Sequence, residues 1–197
     1  MRKSEFLDDP QPLEAITHPA LSQSDPIAAT GRDELTLFID VGRTETTPVA
    51  SADLWVETRT SGYWGRWRQI DSDALAAVAA VQHSVLTQAE AGQKNVQLDS
   101  VADYAVGDHV LLYDPNDLTL TEFGRIASIS GTTITLVDNL ETVKDTDCKV
   151  LSKAEHFVVP IYLRGLNAVR VTLRHTDSAG PNLIWRVAAV GSRNDDR

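Results

Sequence analysis

Residues 168–175 read AVRVTLRH, and within them Val169, Val171 and Leu173 alternate with Arg170, Thr172 and Arg174. A period of two sends these sets to opposite sides of an extended chain, so the stretch predicts a β-strand with one buried face and one wet, basic face. Strands are also expected on either side of it, at 156–163 (HFVVPIYL) and 183–190 (LIWRVAAV). Pro160 has no amide hydrogen to donate, which makes the first of these an edge strand or a bulge.

Earlier in the chain, residues 35–41 (LTLFIDV) read as a strand, and Leu54, Val56 and Thr58 alternate with Trp55, Glu57 and Arg59. Residues 63–70 (YWGRWRQI) follow the turn pair Ser61-Gly62, so they are expected to pair back as a hairpin. The aspartate start and alanine content of 73–81 (DALAAVAAV) make it the one stretch that favours a helix. From about 90 to 151 the chain breaks into short strands separated by Gly, Asp and Asn turns, among them 109–113, 122–129 and 132–137 (TTITLV). That spacing predicts a small barrel or twisted antiparallel sheet.

Neither the strands before residue 71 nor those after 154 can cover their own apolar faces. The expected fold is therefore all-β: an antiparallel, jelly-roll-like β-sandwich built from 35–89 plus 152–193, with 90–151 inserted as a small β-barrel or sheet unit. Residues 1–34 hold Pro10, Pro12, Pro19 and Pro26 and no sustained periodicity, and read as an extended N-terminal arm. Such an arm has no core of its own, so Phe6, Leu7, Leu13 and Ile16 are expected to lie along a neighbouring subunit. Arg170 and Arg174, on the wet face, are the other candidate partner contacts.

The formal charge is −10, unevenly placed: residues 71–150 carry four basic and thirteen acidic side chains, and residues 151–197 carry seven basic and four acidic. An acidic middle repels phosphate, so direct nucleic-acid binding is not expected. No apolar run is long enough to span a bilayer, and MRKSEFLDDPQP lacks the apolar core of a signal peptide, so neither membrane insertion nor export is expected, and synthesis is expected in the cytoplasm. A single cysteine, Cys148, excludes an internal disulfide.

Little in the sequence points to catalytic or metal chemistry. His18, His83, His109, His156 and His175 show no zinc spacing, and no nucleophile elbow or phosphate loop is present. Asp114, Asn116 and Asp117, with Asp99, Asp103 and Asp108, would suit calcium, but Asp and Asn also form turns, and the calcium-loop pattern is incomplete. Cys148 reads as a small packing residue. No enzyme, cofactor or metal is expected.

The central strings VGDHVLLYD, EFGRIASISGTTITLVDNL and CKVL resemble a module of tailed-phage virion proteins, and LTLFIDVGRTETTP and EHFVVPIYLRGLNAVRVTLRHT look like the sandwich halves of phage head decoration and minor structural proteins. The resemblance implies a virion location, attachment to the major capsid protein on the outside of the shell as a decoration or cement subunit, and homo-oligomers, frequently trimers. The alternatives are a head–tail connector component, or a tail-fibre or carbohydrate-binding module using Trp55, Tyr63, Trp64 and Trp67 as stacking surfaces.

Overall fold

A computed structural model of the chain describes residues 2–6, 14–16, 20–47, 52–70, 79–175 and 182–194. They form two antiparallel sheets and a closed barrel. Sheet A runs β1 (Arg2–Phe6), β16 (Leu183–Asn194), β5 (Glu34–Arg43), β14 (Glu155–Tyr162), with β2 (Glu14–Ile16) also on β16. Sheet B runs β3 (Ala20–Gln23), β15 (Ala168–His175), β6 (Ala52–Thr60), β7 (Tyr63–Ile70), with β4 (Ile27–Ala28) also on β15. The inner faces meet in one core: Leu35, Leu37, Ile39, Val41, Trp185 and Val187 from sheet A pack with Leu54, Val56, Val169, Val171 and Leu173 from sheet B. Strands from before residue 71 and after residue 154 thus close as one sandwich, and β14, which carries Pro160, is an edge strand as its proline requires.

The N-terminal arm is built into both sheets. Its described parts pair within their own chain: Phe6 lies opposite Val190 and Ile16 opposite Leu183 on β16, while β3 and β4 line β15. Beyond β5 and β6, the strands β16 and β15 would each leave a row of unpaired N–H and C=O groups, and the arm satisfies them. Ser24 links β3 to β4, its amide donating to the Val171 carbonyl at 2.9 Å and its Oγ accepting from the Val171 amide at 2.9 Å. Leu7 and Leu13 lie outside the described residues. So do residues 73–78 of the expected helix, and residues 79–81 are not helical.

The barrel closes in the order β10 (His109–Tyr113), β11 (Glu122–Ser130), β12 (Thr133–Leu136), β9 (Asn95–Leu98), β8 (Gln82–Thr87), β13 (Lys149–Leu151). It begins at Gln82, earlier than the expected 90. β8 is the closing stave, paired to β13 on one side and β9 on the other, but Val85 is its one buried residue, so it shows no clear alternation in sequence. Val96, Leu98, Val110, Leu112, Ile126, Ile134, Leu136 and Cys148 fill the interior.

The barrel rests on the outer face of sheet A. Along β5 burial alternates as far as Phe38 and is continuous from Ile39 to Arg43, the change expected where a second layer covers the outward side chains. Leu111, Leu151 and Ala154 pack on Ile184, with Tyr113 and Phe123 at the rim. Gly42 sits beneath this contact: a Cβ there would lie 3.1 Å from both Leu111 Cδ2 and Phe123 Cε1.

Candidate functional site

The outer face of sheet B gathers the charged and aromatic residues singled out by sequence. Strand β6 sends Asp53, Trp55 and Glu57 outward, opposite Arg174, Thr172 and Arg170 of β15. Arg170 Nε donates to Glu57 Oε2 at 2.5 Å, Thr172 Oγ1 donates to the same oxygen at 3.0 Å, and Arg174 Nε donates to Asp53 Oδ2 at 3.0 Å. Burial raises the Glu57 carboxyl's pKa, but the bonds from Arg170 and Thr172 outweigh it and hold the group below the usual carboxylate range. The face expected to be basic is therefore partly neutralised by carboxylates one strand away. Cross-strand pairing of this kind could not be seen without the register.

The aromatics divide into two kinds. Trp55 is only 5% exposed, with the Arg66 guanidinium 4.1 Å and that of Arg174 5.8 Å from its ring centroid, so it is not the stacking platform that sequence suggested. Trp64 is half-buried beneath Arg170, 4.2 Å away. Tyr63 and Trp67 are open to solvent, at 84% and 45% exposure. Pairing of β6 with β7 shifts register between Val56 and Glu57, and Trp67 is the unpaired residue of that bulge. Regular pleating would turn alternate side chains away, but here Arg66, Trp67, Arg68 and Gln69 all border one cleft with Asp53, Trp55 and Arg174.

A second cleft lies where the barrel meets sheet A, and sequence gave no hint of it because its members lie on strands far apart in the chain. Asp40 accepts from Arg186 Nε at 2.8 Å and pairs with His156 Nδ1 at 2.6 Å. The His156 ring stacks on His109 of the barrel, centroids 5.2 Å apart and planes 12° from parallel. Phe123, Arg125 and Asp138 complete the walls. Burial, then His156, then Arg125 lower the pKa of His109, against the opposing pull of Asp40 and Asp108. Between that lowered value and the ordinary histidine value near 6.5 the unfolded chain binds the extra proton, so stability rises with pH across this window. His109 thus contributes fully above about pH 6.5 and its contribution is lost as pH falls below that. The urea midpoint is expected to drop between pH 7.5 and 5.5, and to drop less in His109→Asn; equal drops in both proteins would exclude His109 as the source.

The acidic turns are occupied by their own backbone. Asp114 Oδ1 accepts from the amides of Asn116 at 2.7 Å and Asp117 at 3.1 Å, Asp99 Oδ1 from Ser84 at 3.0 Å and Ser100 at 2.8 Å, and Asp108 Oδ2 from Ala105 at 2.9 Å. Asp114, Asp145 and Cys148 offer ligand atoms within 4.8 Å of one another, yet Asp145 Oδ1 likewise accepts from the Asp147 amide at 2.9 Å. These carboxylates act as turn formers, as their composition suggests. Burial, chiefly, pushes the Cys148 thiol up to about 12, so in the native barrel it stays protonated, buried in the interior with its Sγ donating to Asp114 Oδ2 at 3.7 Å.

No protein-family model matches the chain, and no curated protein matches it.

Proposed function

We propose that the chain is a non-enzymatic structural protein of a tailed-phage particle, bound to the outside of the capsid as a decoration or cement subunit. The observation that carries this reading is an apolar strip on the outer face of sheet A, beside the barrel. The alternation that puts Asp40, His156 and Arg186 in the cleft beside the barrel puts Phe38, Val158, Pro160, Tyr162, Ala188 and Val190 on the same outward side farther from the barrel, where Thr36, Glu34 and Ser192 are the polar members. Val158 is 54% exposed and Tyr162 75%. Apolar side chains grouped on one face suit burial against another protein surface. Pro160 on the edge strand works against pairing with a foreign strand, which leaves the face as the docking element. The sequence strings that resemble phage head proteins supply the particle, and repetition over a lattice supplies avidity without a dominant residue.

The test is copy number and rebinding. Purified particles are expected to carry the protein in hundreds of copies, and stripped shells to take it back. Tyr162→Asp and Val158→Asp, both at exposed positions, are expected to weaken rebinding by about tenfold or more while leaving the fold intact. A count near six or twelve per particle would instead give a tail or connector role.

A further inference from the structure

We infer that the cleft bordered by residues 66–69 on the outer face of sheet B is a binding site for a saccharide chain bearing carboxylate groups. This inference does not depend on the capsid reading, which uses the opposite side of the sandwich.

Three observations carry it. First, the charge is out of character with the chain. In a protein of net charge −10, Arg66 and Arg68 stand together with no ion pair to either among the described residues, because Asp53 and Glu57 are already engaged by Arg174 and Arg170. Arg66 is nevertheless held in place, stacked 4.1 Å over Trp55, so the ring fixes its guanidinium without neutralising it. An ordered guanidinium whose N–H fork has no carboxylate among the described residues is suited to take one from a ligand in bidentate geometry.

Second, the bulge re-aims the strand. It gathers two arginines, an exposed tryptophan and an amide from four consecutive residues into one cleft of about 410 Å³, within the range of small-ligand sites.

Third, the neutral groups suit a sugar. Trp67 offers a flat apolar face beside the charges, and the Gln69 amide can both donate to and accept from hydroxyls. β7 is an edge strand of its sheet, so among the described residues no further strand closes that side of the cleft, which suits one unit of a longer chain.

The experiment titrates the whole protein, followed by tryptophan fluorescence and calorimetry, with three probes: tetragalacturonate, a hyaluronate tetramer and an α2,8-linked sialic acid tetramer. Controls are methyl-esterified tetragalacturonate, which keeps the rings and loses the charge, and a thymidine oligonucleotide as a polyanion without carboxylates. Saturable binding of at least one acidic probe is expected. It should weaken about tenfold or more for tetragalacturonate on esterification, if that is the binder, and for any binder in Arg68→Gln and in Trp67→Ala, because each change removes a charge-assisted bond or a stacking face. Both variants alter exposed edge-strand side chains, and unchanged circular dichroism confirms their folding. Four results would overturn the inference: no saturable binding by any acidic probe, equal saturable binding of tetragalacturonate and its ester, equal binding of the oligonucleotide and the acidic probe that binds, or parent-like affinity in both variants.

Discussion

Glu122→Ala is expected to destabilise the protein by about 3–5 kcal/mol, read as a lowered midpoint in urea, because it leaves an uncompensated charge inside the barrel. The charge is Lys144, whose side chain is fully buried with Nζ 2.7 Å from Glu122 Oε1, while the Glu122 side chain is itself only 7% exposed. The Leu120 carbonyl and Thr142 Oγ1 also accept from Nζ, but neither carries charge. Replacing both members, as in Lys144→Met with Glu122→Leu, is expected to recover most of the loss, since a buried ion pair exchanged for apolar side chains of similar volume is often close to neutral. The Glu141 amide, which donates to Glu122 Oε2 at 2.9 Å, would stay unpaired in the double variant and account for a remainder of about 1 kcal/mol. A single variant within about 1 kcal/mol of the parent would show that Lys144 reaches water by rearrangement and that the pair has little structural role.

Gly42→Val is expected to cost about 1–3 kcal/mol, as overpacking does in a tight contact, and to act on the seat of the barrel. The first added carbon alone would sit 3.1 Å from side-chain atoms of Leu111 and Phe123 and 3.2 Å from Leu111 Cβ, nearer than side chains ordinarily approach. One wall of the contact belongs to β5 and the other to β10 and β11, so relief requires the Leu111 and Phe123 side chains to give by a few tenths of an ångström and loosens the seat of the barrel on the sheet. Protease susceptibility at the connections between the two bodies should rise together with the loss of stability. Leu111→Ala added to Gly42→Val should restore part of it, because the two positions share one space. Strictly additive losses would mean that the valine is accommodated elsewhere.

Much of the fold was legible because its central strands carry their own pattern. The alternation at Val169, Val171 and Leu173, the Ser61-Gly62 turn and the 132–137 strand each specify local structure without help from distant residues. Three things were not legible, and each depends on register. Strands β1 to β4 are short and proline-flanked, and owe their order to the bonds offered by β15 and β16. Trp55 has a composition that fits a stacking surface, but two arginines on neighbouring strands cover it. The cluster of Asp40, His156 and His109 joins three strands from two bodies, so no local spacing could announce it.

The placement of β16 has a bearing on synthesis. β5 pairs in register with residues 183–192, and β1 with residues 190–194, so both strands must wait for β16 before sheet A can close. The barrel needs only residues 82–151 and is complete well before then. Nascent chains will therefore carry a finished barrel on an unfinished sandwich, with the apolar side of β5 unprotected until β15 and β16 have emerged.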